Sequence, residues 1–192
     1  MGLINLRRMK PLYLKESYRI SPKMICISSI FDRHGNHYSL VREEDRLFVV
    51  TLPPLNVIDY SIRCNGYNLK SALDTAKWLL GKNHLCPIVV DPIEQIILFP
   101  TRSRFHEDNI WFNPDHIKRT FFLRARTLIL FMNDLSFSIP GQQSSFNHKL
   151  TTADQYKRLT VGPDRYPITQ YLVKKQRLLL KLKKEMNKAE KK

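Results

Sequence analysis

The stretch Pro87-Ile88-Val89-Val90-Asp91-Pro92-Ile93-Glu94-Gln95-Ile96-Ile97-Leu98-Phe99-Pro100-Thr101 decides how this chain is read. It holds two apolar runs, each bounded by proline, with an Asp-Pro step between them. Short runs rich in β-branched residues read as buried strands, and the step as a tight turn. Asp91 is placed to hydrogen-bond the backbone of that turn, and Pro92 pre-sets its first dihedral. The expectation is a hairpin with both strands in a β core.

Upstream, residues 24–30 read as a strand, His34-Gly35-Asn36 as a turn, and residues 38–42 and 46–52 as further strands of an antiparallel meander. Pro53-Pro54 ends it. Residues 55–63 form a short helix with proline at its start and Asn65-Gly66 as its stop. Asn68 caps a second helix over residues 69–80, with Leu69, Leu73, Ala76 and Leu80 on one stripe and Gly81 as its stop. Downstream come a loop over residues 102–109, a short strand at Trp111, and strands over residues 120–126, 127–132 and 135–139. Pro140-Gly141 marks a boundary. Residues 142–159 and 168–186 beyond it read as helices, separated by Gly162-Pro163. The fold class is α+β: a mainly antiparallel β core with two short helices inserted over residues 11–140, then a helical, basic C-terminal extension over residues 141–192.

At 192 residues and 43% hydrophobic, the chain can bury a sizeable core and is not a disordered polymer. Its 32 Lys+Arg against 17 Asp+Glu leave a net charge of +15. A charge so far from zero points to a polyanionic partner. Residues 165–192 hold ten basic and two acidic side chains, so about half of the surplus sits in the tail. No segment is apolar over the roughly 18 residues that a membrane span needs. At the N-terminus Arg7, Arg8 and Lys10 follow a short apolar run, the reverse of a secretory signal. Cys26, Cys64 and Cys86 are odd in number and widely spread, which suits a reducing cytoplasm.

The hairpin string, followed by Trp111, resembles the signature block of the ComK family, competence transcription factors of low-GC Gram-positive bacteria. The likeness continues upstream in Ile58-Asp59-Tyr60-Ser61-Ile62-Arg63-Cys64-Asn65-Gly66-Tyr67, similar to the family's Ile/Val-Asp-x-x-x-Arg segment closing on glycine. Downstream it continues in His116-Ile117-Lys118 and Ser145-Phe146-Asn147. Order and spacing hold from about residue 40 to about residue 150. Asp59, Arg63, Gly66, Asp91, Pro92, Gln95, Phe99, Pro100, Thr101 and Trp111 are the signature positions, read as structural. The resemblance implies an activator that recognises paired A-runs and T-runs upstream of competence genes, working from the minor groove as a homodimer or higher oligomer beside the nucleoid. It also implies RNA polymerase and a Clp-protease adaptor as partners, although this tail does not match the family's short handover segment.

Charge placement supplies candidate contacts. Arg102 and Arg104 share a loop, and their spacing would put them on one face of an extended segment. Arg124 and Arg126 repeat that spacing on a later strand, with Lys118 and Arg119 just upstream. Lys174, Lys175 and Arg177 belong to the basic tail, whose apolar stripe suits docking or pairing better than a membrane surface. Arginines of this kind suit the narrow, electronegative minor groove of A-tracts, which is read by shape. Exposed arginines near strand edges also serve solubility alone.

Other chemistries fare worse. The six glycines are scattered singly, and no phosphate loop, nucleophile elbow or HExxH string occurs, so no enzyme and no cofactor are expected. His34 with His37, or His84 with Cys86, has chelating spacing but lacks the four convergent ligands of a zinc site, so no metal is expected. Trp111, between Ile110 and Phe112, reads as a core aromatic. An RNA-binding or ribosome-associated basic protein is the alternative, and its base stacking would need exposed aromatics.

Overall fold

A computed structural model describes residues 13–81 and 84–160. The predicted tail helix over residues 168–186, with Lys174, Lys175 and Arg177, lies outside the described residues.

The hairpin forms as expected, from Ile88–Asp91 (β5) and Ile96–Pro100 (β6), with Ile88 opposite Leu98 and Val89 opposite Ile97. Asp91 Oδ1 accepts hydrogen bonds from the backbone N–H groups of Ile93 (2.9 Å) and Glu94 (3.0 Å). Gln95 closes the turn in the left-handed region, at φ 56°. A side chain that tolerates this conformation is therefore needed at the signature glutamine.

The meander is Met24–Phe31 (β2), His37–Glu43 (β3) and Leu47–Val50 (β4), all antiparallel. A strand that sequence pattern did not reveal, Tyr13–Lys15 (β1), pairs parallel with β4. Three residues carry too little alternation to signal a strand, and the partner is remote. With Ile110–Phe112 (β7), these strands form a seven-stranded sheet in the order β1-β4-β3-β2-β7-β6-β5.

Helices Pro54–Arg63 (α1) and Leu69–Leu80 (α2) match their predicted ends. Asn68 accepts from Ser71 N (2.9 Å), and Gly81 stops α2 at φ 61°. Asp59 joins the two helices: Oδ2 accepts from Arg63 Nε (2.7 Å) and Oδ1 from Leu69 N (2.9 Å). Between them Gly66 sits at φ 87°, which an L side chain adopts only with strain.

A second sheet contains Ile117–Leu123 (β8), Arg126–Phe131 (β9) and Ser136–Pro140 (β10), in the order β10-β9-β8. The predicted strand over residues 120–126 ends at Leu123, because Arg124 turns the chain at φ 52°. After Pro140-Gly141, helix Gln143–Thr160 (α3) buries Phe146, Ala153 and Tyr156 against the body.

The large sheet has a core on each side. Ile96, Leu98 and Trp111 join Val57, Ile58, Ile62 and Leu73 of α1 and α2. Phe99, Phe112 and Ile25 join Ile129, Phe131, Phe146 and Ala153 of the small sheet and α3. A bulge between Met24 and Cys26 turns both Ile25 and Cys26 to that second side. Every residue of β6 is buried, which is why it reads as a continuous apolar run rather than an alternating one.

Candidate nucleic-acid interface

The signature residues hold the scaffold. Phe99 and Trp111 are core side chains. Thr101 fixes the end of β6 by a two-way backbone clasp, its N–H donating to Ile110 O (3.0 Å) and its hydroxyl accepting from Ile110 N (3.0 Å). His116 is buried and donates through Nε2 to Pro22 O (2.7 Å), so this histidine is a structural tie. Members of the chelating pairs have other partners or are buried: His34 accepts from Arg33 Nε (3.0 Å), His37 stacks on Phe31 and bonds Ser29, and Cys86 is buried. Among the described residues no group of three or more His, Cys, Asp or Glu side chains has metal-binding geometry.

The structure sorts the candidate cations. Lys118 Nζ pairs with Asp134 Oδ1 (2.7 Å) across the β9–β10 turn. Arg126 is pinned along β10, with Nε donating to Ser138 Oγ and Nη2 to Ser138 O, both at 2.8 Å. Arg119 lies over the Phe121 ring (5.6 Å), and Arg124 is exposed in the β8–β9 turn. Arg119, Arg124, Arg102 and Arg104 form no ion pair with another described residue.

Arg102 and Arg104 do not share a face. The loop turns at residues 103–106, with His106 N donating to Ser103 O (2.9 Å), so the extended geometry behind that expectation is lost. Arg104 stacks on Phe105 (4.7 Å) beside a hollow of about 480 Å³ along α1 and α2. Arg102 lines a different hollow, of about 50 Å³, between Thr101, Gly141, Ser145 and Lys149.

That second hollow is where separate segments meet. Gly141 N donates to Ala125 O (3.1 Å), tying the Arg124 turn to the start of α3. Lys149, on α3, donates to Thr101 O (2.6 Å), tying α3 to the loop after β6. Burial, and then the nearby Arg102 guanidinium, push the Lys149 amine below the usual lysine range. Lys149 was not visible to sequence reasoning. It is one of two lysines on a polar helix, and its meaning depends on Thr101 across the fold.

Two large apolar side chains are exposed on other parts of the surface. Phe122 is 68% exposed on β8, an edge strand, and Phe105 is 75% exposed on the loop. Among the described residues, no helix is long and apolar enough to cross a membrane.

The family model described as ComK protein matches residues 15–161, which takes in every described strand after β1 and the three described helices. The chain belongs to the ComK family. It is 28% identical over 138 residues to the competence transcription factor of Bacillus subtilis (strain 168), an alignment covering 70% of each chain. No solved structure matches.

Proposed function

We propose that this ComK-family chain is a DNA-binding transcriptional activator of competence genes, reading AT-rich sites of paired A- and T-runs from the minor groove as a homodimer or higher oligomer. It is a non-enzymatic reading and needs no cofactor. The supporting observation is that Arg102, Arg124 and Lys149, three cations without acidic partners among the described residues, come from separate segments tied together at the start of α3. Family membership and the printed function of the Bacillus subtilis relative point the same way. Within the family setting, the β8–β9 hairpin is a suitable probe for a groove, because it carries Arg119, Arg124 and the exposed Phe122 at the free edge and turn of the small sheet.

The test is competition for the full chain between an AT-rich duplex, a GC-rich duplex and RNA at about 0.15 M salt. The AT duplex is expected to win. With roughly six phosphates neutralised, log affinity should fall against log salt with a slope near −5. Equal competition by the GC duplex overturns minor-groove selectivity. Exposed Phe105 and Phe122 offer the stacking surface that single-stranded RNA uses, so preferential binding of the RNA arm would replace the duplex reading.

A further inference from the structure

The two cations that line the small hollow, Arg102 and Lys149, are short of hydrogen-bond acceptors. Asp108 N donates to His106 Nδ1 (3.1 Å), which makes Nδ1 the acceptor of that ring. A neutral imidazole has one acceptor nitrogen, so Nε2 carries the hydrogen. Nε2 nevertheless faces Arg102 Nη1 at 3.2 Å. An arginine has only donors, so this contact sets donor against donor unless a third group accepts from both.

Lys149 in the lining, and Asn109 on the adjoining loop, repeat the imbalance. Lys149 meets a single carbonyl, Thr101 O, while Arg102 lies close enough to disfavour its charge. Asn109, on the same loop, spends Oδ1 on Arg102 N (2.9 Å) and leaves Nδ2 buried without a partner. Asp108 also lines the hollow, but no ion pair joins it to either cation. Gln142, just before α3, and Ser145 in its first turn belong to the lining, and that turn contains no acidic residue. About 50 Å³ is room for roughly four waters, or for the oxygens of one tetrahedral anion.

We propose that this hollow binds one phosphate group, with Arg102 and Lys149 of its lining as the charged donors, while His106, which reaches Arg102 from outside the lining, adds its N–H on the Arg102 side. An oxygen between Arg102 and His106 resolves the donor conflict, and a second oxygen gives the Lys149 amine a counter-charge. The inference rests on the DNA reading for one point only, the source of the phosphate: a duplex backbone phosphodiester or free phosphate. In the first case Lys149 is a further DNA-contacting residue, and it sets register and affinity without carrying sequence information.

The test uses the full chain, wild type against Lys149→Gln, with Lys149→Arg and Arg102→Gln as second variants and thermal melts to check folding. Inorganic phosphate is titrated while amide NMR shifts of Ser145 and Lys149, or of the substituted residue, are followed. Salt dependence is measured on AT-rich and GC-rich duplexes. For a backbone phosphodiester, Lys149→Gln makes the slope shallower by about 0.9 on both duplexes. Between 50 and 200 mM salt, wild type then loses about 3.5-fold more affinity than the variant, and AT preference is unchanged. Lys149→Arg keeps the wild-type slope. For free phosphate, the saturable shift is lost in Lys149→Gln while the DNA slope stays the same. The proposal is overturned if the slope is unchanged and phosphate either shifts nothing in wild type or shifts the variant equally. Loss of AT preference in the wild-type arm would sink the regulator reading instead, leaving the phosphate titration to decide the site.

Discussion

Replacing Asp91 probes the turn that organises the β5–β6 hairpin. Its side chain is buried and holds Ile93 N, Glu94 N and Arg19 Nη2, the last at 3.1 Å. Burial by itself would raise the carboxyl pKa, but the donors from Glu94, Arg19 and Ile93 outweigh it and hold the group below its usual range. In Asp91→Ala, two hydrogen bonds to a charged acceptor disappear, at about 1.5 kcal/mol each. The Arg19 side chain is half exposed, so its ion pair adds no more than about 0.5 kcal/mol. The expected loss is about 3 kcal/mol, which lowers Tm by roughly 6–12 °C for a body of this size. Asp91→Asn keeps an acceptor oxygen and should lose about half as much.

Urea unfolding followed by the fluorescence of the buried Trp111 measures both variants. The sign with pH follows from the depressed pKa. The charged form stabilises the fold above the unfolded value of about 3.9, and that contribution is lost as pH falls through the lower folded value. The gap between wild type and Asp91→Asn should therefore be widest near neutral pH and shrink in acid. A loss under about 1 kcal/mol for Asp91→Ala, or a gap that widens in acid, refutes the reasoning.

Two further outcomes are expected. Arg102→Ala with Arg104→Ala should weaken binding to the AT duplex and to random DNA by a similar factor, measured by gel-shift competition, since the two side chains line different hollows; a selective loss of AT preference would return that loop to groove reading. Cys64 is exposed, whereas Cys26 is buried and its thiol is pushed up to about 12 by burial. A thiol reagent at neutral pH should thus label Cys64 before Cys26, as peptide mass mapping would show.

The legible parts of the fold were those set by neighbouring residues. Asn68 and Gly81 bracket α2, Pro54 starts α1, and Asp91 with Pro92 makes the hairpin turn, each through contacts a few residues long. The α+β class followed from them. What escaped notice depended on distant partners or on one local dihedral. Strand β1 exists through pairing with β4, and Arg124 left its strand because of a left-handed turn. At the candidate site, the arginines were visible as charges but not as neighbours. Residues 103–106 turn back and separate Arg102 from Arg104, while α3 supplies Lys149 from another part of the chain. Charge can be counted along a sequence, whereas the absence of an acceptor becomes visible only in three dimensions.

Strand β6 is shared property, since the α1–α2 side and the α3 side both rest on it. Peeling away the α3 side would wet Phe99, Phe112 and Ile25, at about 1.5–3 kcal/mol apiece. The combined cost, about 5–9 kcal/mol, rivals the whole margin of an ordinary domain. No fragment lacking one flank can thus stand in for the body, and a lesion far from any cation disarms the protein by dissolving the platform on which the cations are mounted.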